Sequence, residues 1–355
     1  MCTGIRMTAD NKDVVYARTL EFDVPVPMWL GYVPRGMDFQ GTTPTGVNGL
    51  KWTTKYAVGG QVGAGNRPGM GDFFSCVDGM NEHGLVAGIF NLPGYTTFAD
   101  VDATTQDKAL AIWEAPLFVL SNYKSVDEVK AGIAAGDFIV AATEFAFTAK
   151  AKGILPNHMR VGDATGATIV VEFSNGNEPP NVFDAPTGVC CNSPSYPFHQ
   201  EHILLYDNLT PYNPAGPFSP TSQEYKNTMG QGYVGMPGGS GSMDRFVRAY
   251  LYSRDAHAGA TGEDAVWAAL HTMNNFDIPP GIQRNVSAVD KSESSEFTLY
   301  IVIADTANCV YYMRTHANNE VFKLDVKAQD PNGTKVLQDN SPEQPKRAVT
   351  EVSFA

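Results

Sequence analysis

Nowhere does this chain carry a run of about eighteen apolar residues, so no membrane-spanning helix is expected. Cations are scarce as well. The chain has 25 Lys and Arg against 38 Asp and Glu, a net charge of −13. That balance argues against a nucleic-acid partner, whose phosphates require basic stripes. Cysteine is confined to positions 2, 76, 190, 191 and 309, an odd set without Cys-x-x-Cys. Such a set is neither a disulfide framework nor a zinc site, and no metal or cofactor is expected. Cys76, Cys190 and Cys309 read as small buried hydrophobes. The chain does not open on a charged stretch followed by an apolar one, so no signal peptide is expected. The reading is cytoplasmic, or periplasmic if a signal has been removed. No linker, repeat or low-complexity tract stands out, and the length allows one large or two ordinary domains.

Three short patterns lead nowhere. The run from Gly230 to Gly235 fits Gly-x-Gly-x-x-Gly, but no strand precedes it and no helix clearly follows. Gly239-Ser240-Gly241 lacks the flanks of a nucleophile elbow. His199 and His202 have metal-like spacing without a third ligand nearby, and they read as surface or loop residues.

What the chain does have is a cysteine directly after its first methionine. Methionine is trimmed when the next side chain is small, so Met1 is expected to be removed, leaving Cys2 at the front. Thiol and free α-amine then share one residue. The thiol is intrinsically a strong nucleophile, and an α-amine titrates near 7.7–8.0, so it can act as the base. Cys2 to Met7 alternates as a strand, Thr8 to Asp13 is turn chemistry, and Val14 to Leu20 is a second strand. The two make a hairpin. With the turn centred near Asp10 and Asn11, facing residues have numbers summing to about 20 or 21, which sets Arg18 or Thr19 opposite Cys2. A guanidinium there would favour a thiolate, and Glu21 follows within reach of the α-amine.

Short strands dominate the rest, at roughly 50–60, 72–92, 158–173, 182–192, 297–304 and 309–325. Helices are expected from Lys108 to Asn122, from Ser125 to Ala135 with Ser125 as N-cap, from Arg245 to Ser253, and from Gly262 to Met273. That order suggests antiparallel sheets with helices packed outside, an α+β fold. Phe22, Trp29, Tyr32, Phe73 and Phe90 could line an apolar pocket, or simply be core. Residues 205–240, rich in Tyr, Pro and Gly, are a long excursion of the kind that serves function or an interface.

A family resemblance now emerges. Arg18-Thr19-Leu20-Glu21 after the opening Met-Cys-Thr, Asp78-Gly79-Met80-Asn81-Glu82, and Asn91-Leu92-Pro93-Gly94 are similar to blocks of the choloylglycine hydrolase family. So are Asp163 to Gly166, Ile169 to Phe173, Cys191-Asn192-Ser193-Pro194, Gly235 to Gly238, Arg245 to Arg248 and Tyr311 to Thr315. The family includes bile salt hydrolases, penicillin V acylases and some acyl-homoserine-lactone acylases. The resemblance covers nearly the whole chain in order. It implies one domain over residues 1–355 with the N-terminal nucleophile hydrolase fold, a four-layer αββα sandwich of two antiparallel sheets. It implies Cys2 as nucleophile, Arg18 beside it, Asn91 and Asn192 around the oxyanion or amine, and Arg245 in the charge network. Glu21 stands where bile salt hydrolases have Asp, and Cys191 where Thr is usual. The substrate would be a small amide, conjugated bile salts first, because Asn91 takes a place where penicillin V acylases often carry an aromatic. Penicillin V and acyl-homoserine lactones come next. A homotetramer is implied, with residues 205–240 as its assembly loop. The rivals from other classes are a non-catalytic binding protein on this fold and a redox protein with Cys2 as sensor thiol.

Overall fold

The hairpin at the start of the chain forms from β1 (Cys2–Thr8) and β2 (Val14–Phe22), shifted slightly from the expected register. Cys2 pairs with Leu20 and Gly4 with Arg18, so partner numbers sum to 22. The turn spans residues 9–13, closed by Ala9 N–H donating to the Asp13 carbonyl at 2.9 Å, with Lys12 at φ 76°. An even sum keeps Cys2 and Arg18 on one face of the sheet.

The computed structural model describes residues 1–23, 29–67, 71–146, 152–212, 232–286 and 291–349, with backbone alone at 64–67, 71–73, 146 and 152. The first sheet orders β1, β2, Glu293–Asp305, Val310–Thr315 and Phe322–Asp325, with Gln283–Val286 paired off the third of these. The second runs Asn181–Asp184, Thr168–Glu172, Asn157–Gly162, Val86–Asn91, Gly71–Asn81, Val58–Arg67, Leu30–Val33 and Leu337–Asp339. Every pairing in both sheets is antiparallel. The helices are α1 (Ala115–Asn122), α2 (Val126–Ala135), α3 (Tyr196–His202), α4 (Ser242–Asp255) and α5 (Gly262–Met273). α1 packs on the second sheet, α4 and α5 on the first. The layers are therefore helix, sheet, sheet, helix, the αββα sandwich that the resemblance implies. Apolar side chains form two clusters, one reaching α4 and α5 and the other α1 and α2. Between the sheets lie buried charges, Arg18, Asp78 and Arg160. Among the described residues no helix is long and apolar enough to cross a membrane.

Helix boundaries follow local chemistry. α5 runs over the expected residues and starts on a capping box, Thr261 Oγ1 accepting from Asp264 N–H while the Asp264 carboxylate accepts from Thr261 N–H. α2 starts as expected on Ser125, whose Oγ accepts from Glu128 N–H at 3.2 Å, and stops at Gly136 with φ 64°. The helix expected from Lys108 starts only at Ala115, because Pro116 is tolerated in a first turn and not in a helix interior. Ala109–Leu110 is instead a short strand. Of the strand expected at 182–192, only Asn181–Asp184 forms, and Cys190 makes a single bridge to Gly4. Of the long excursion at 205–240, residues 213–231 lie outside the described residues.

Candidate active site

Cys2 sits at the sheet edge with its thiol against Arg18. Arg18 Nη2 donates to Cys2 Sγ at 2.9 Å, Nη1 to the Ile89 carbonyl at 2.8 Å, and Nε to the Thr19 carbonyl at 3.2 Å. The guanidinium is fully buried, stands 4.2 Å from the centre of the Phe90 ring, and has Asp78 Oδ2 3.5 Å from Nη1. Burial works against its charge, but Cys2, Tyr300 and Asp78 outweigh that and hold its pKa above the ordinary value. Burial pushes the Asp78 carboxyl up, while Arg18 and a hydrogen bond from Tyr311 Oη at 2.8 Å pull it down. A Cβ at position 88 would stand 2.1 Å from Asp78 Oδ2, so glycine there leaves room for the pair.

A second arginine arrives from the opposite side. Arg245, on α4 and fully buried, donates through Nη1 to the Cys2 carbonyl and to Thr3 Oγ1, and through Nη2 to Asn192 Oδ1 at 2.8 Å. Asn192 Oδ1 also accepts from Cys2 N–H at 2.7 Å. Asn192 Nδ2 donates to the Asn91 carbonyl at 2.7 Å, which leaves its second hydrogen directed elsewhere. Glu21 is 1% exposed; its Oε1 accepts from Thr298 Oγ1 at 3.0 Å, and its Oε2 has no hydrogen-bond partner among the described residues. Burial pushes the Glu21 carboxyl up, against the pull of Arg245. The Met1 ammonium is held by the Glu21 backbone carbonyl and by Glu296 Oε2 at 2.7 Å.

A cavity opens onto Cys2, Glu21 and Asn91. Its apolar wall includes Leu20, Phe22, Val77, Ile89, Trp113 and Phe145, and Gln61, Ser75 and Asn157 add polar atoms. Cys2, Arg18, Glu21, Asn91, Asn192 and Arg245 thus converge on one place. Of the aromatic residues named from the sequence, Phe22 lines the cavity. Phe90 instead lies beneath Arg18, Trp29 packs over Gly63, and the Phe73 side chain lies outside the described residues. Sequence reasoning did not assign Trp113 and Phe145 to the wall, nor Thr298 and Glu296 to the surroundings of Cys2. They come from distant segments, and no local pattern marks them.

His199, read as a surface or loop residue, is 2% exposed on α3. Proline in the first turn of α3 and the apolar Tyr196 were the signals of a buried helix there. All five cysteines are free and buried. Among the described residues no three His, Cys, Asp or Glu side chains converge as a metal site.

Residues 2–339 match the family described as linear amide C–N hydrolases, choloylglycine hydrolase family. Over 325 residues the chain is 30% identical to an uncharacterized protein of Paramecium bursaria Chlorella virus 1, covering 91% of this chain and 100% of that protein. It is 28% identical to the bile salt hydrolase/transferase of Clostridium perfringens, covering 95% of each. Its fold is similar to that of a solved mutant of conjugated bile acid hydrolase from Clostridium perfringens, with a TM-score of 0.80 at 24% identity over 99% of this chain and 100% of that one.

Proposed function

Since the chain belongs to the choloylglycine hydrolase family and is a linear amide C–N hydrolase, we propose that it opens its substrate through a thioester on Cys2, with Met1 removed. The observation that carries this reading is the double hold on Cys2. Arg18 Nη2 lies 2.9 Å from its sulfur and Asn192 Oδ1 2.7 Å from its nitrogen, at the mouth of a largely apolar cavity. Once freed, the α-amine keeps Asn192 Oδ1 as acceptor for one hydrogen, which orients its lone pair. The amine takes the thiol proton, and the sulfur attacks the amide carbon. The second Nδ2 hydrogen of Asn192 and the Asn91 side chain stabilise the oxyanion, each donor contributing about 2.7–4 kcal/mol. The C–N bond then breaks as the protonated α-amine passes its proton to the leaving nitrogen. Water adds to the thioester and releases the acid.

For the acyl group we rank conjugated bile salts first. Asn91 in Asn-Leu-Pro-Gly supports this, as does the 28% identity to a bile salt hydrolase/transferase. Penicillin V and acyl-homoserine lactones follow. The homotetramer is part of the same proposal, and light scattering tests it.

The functional test is intact-mass analysis of active protein together with a panel of conjugated cholates, penicillin V and acyl-homoserine lactones. Met1 should be absent and kcat/KM highest for a conjugated cholate. A preference for penicillin V overturns the ranking and keeps the mechanism. Full activity with Met1 retained overturns the α-amine as base.

A further inference from the structure

Asn192 is tied at every polar atom. Its N–H donates to Ser242 Oγ at 3.0 Å, its Oδ1 accepts from Cys2 N–H and Arg245 Nη2, and its Nδ2 donates to the Asn91 carbonyl. The remaining atom, its carbonyl oxygen, lies 2.8 Å from His199 Nε2. A carbonyl can only accept, so His199 carries its proton on Nε2. Nδ1 of that ring is buried with no hydrogen-bond partner among the described residues. The ring stacks on Phe246 at 4.4 Å and 6°, and Phe246 follows Arg245 on α4. The start of α3 is itself held from the second sheet, where Glu172 Oε1 accepts from Tyr196 N–H. Burial lowers the His199 pKa to about 4, so the ring is neutral at pH 7.

We infer that His199 is a positioning residue: its Nε2–H bond to the Asn192 carbonyl, braced by the Phe246 stack, fixes the amide that faces Cys2. This rests on the thioester reading of the site. Without that donor the buried carbonyl is unpaired, which is unfavourable enough to turn the peptide towards another partner. The Asn192 side chain would turn with it, and misplacement by about 1 Å at a reacting centre can lower rates about 100-fold.

Two variants separate the donor from the packing. His199→Phe keeps a ring on Phe246 and deletes the donor. His199→Gln carries an amide N–H about where the imidazole Nε2 sits. With an amide that wild-type protein hydrolyses, His199→Phe should lower kcat roughly 10- to 100-fold while KM stays within about 3-fold. His199→Gln should recover most of the loss. Unchanged kcat in His199→Phe, or equal loss in both folded variants, overturns the inference. If His199→Phe does not fold, ¹⁵N NMR of the wild-type imidazoles decides. A neutral ring protonated at Nε2 supports the inference, and an Nδ1–H ring contradicts it. Mass analysis of wild-type protein during turnover keeps the two levels apart. An acyl group on a residue other than Cys2 sinks the thioester reading, whereas a Cys2 adduct with unaffected His199→Phe sinks only this inference.

Discussion

Two buried thiols in this molecule have opposite surroundings. Cys190 has a histidine beside it, with His158 Nε2 3.7 Å from its sulfur and Glu172 Oε1 3.8 Å from His158 Nδ1. On residue types alone, that trio looks closer to an activated cysteine than Cys2 does. Yet Cys190 is 0% exposed, bridges back to Gly4, and is not among the residues lining the cavity at Cys2. Among the described residues Cys2 has no histidine hydrogen-bonded to it. It has an arginine on its sulfur, an asparagine on its nitrogen, and a cavity in front. The difference is that a nucleophile needs space for a carbonyl and donors for the oxyanion, and a base can come from its own α-amine.

The largest expected effect comes from removing the favoured thiol. Cys2→Ala should abolish turnover, by about 10⁴-fold or more, while substrate still binds. Cys2→Ser should lose nearly all activity, because a hydroxyl at neutral pH lacks thiolate character. Steady-state kinetics with a binding assay checks both. Asn91→Ala should lower kcat by roughly 10²–10³-fold with little change in KM, as loss of an oxyanion donor does. Asn91→Tyr should move preference towards the phenoxyacetyl group of penicillin V, read as a ratio of kcat/KM values. Cys190→Ala should leave kcat within about 2-fold and lower stability by about 1 kcal/mol, as small core truncations do. A Cys190 variant as inactive as Cys2→Ala would dissolve the comparison.

The smallest effect on turnover concerns a second comparison, between two buried carboxylates. Glu21 has one oxygen near Cys2 without a partner among the described residues, whereas Glu114 accepts from Thr42 N–H, Thr42 Oγ1 and Ala111 N–H. Burial still raises Glu114 to about 7 from 4.5, against those bonds. The folded protein then holds this proton more tightly than the unfolded chain. The stabilisation is full below about pH 4.5 and is lost as pH rises through about 7, an effect on the order of 3 kcal/mol. Glu114→Gln can keep an acceptor for both N–H groups and donate to Thr42 Oγ1. It should flatten this part of the stability–pH curve in urea melts, leaving kcat nearly unchanged.

The sequence was a good guide where chemistry is local. Ser125, Thr261 and Gly136 bound their helices because caps act within one turn. The hairpin register slipped because turn length is set by how the loop closes, here with Lys12 at positive φ, which residue preferences do not reveal. The even offset still kept Arg18 on the face of Cys2. Asn91, Asn192 and Arg245 were reachable only through family resemblance, since they meet Cys2 across 89 to 243 positions of chain and no spacing rule spans that distance. His199 went unread because its partner is a backbone carbonyl, and every residue carries one.

The most direct measurement of the central claim is to quench turnover of an amide substrate in acid and map the acyl group by peptide mass spectrometry. The account predicts an acyl thioester on Cys2, in a peptide that begins at Cys2, appearing within the first turnover and vanishing on hydroxylamine treatment. An acyl group on Cys190 or any other residue, or rapid turnover through a chain that still begins with Met1, would contradict it.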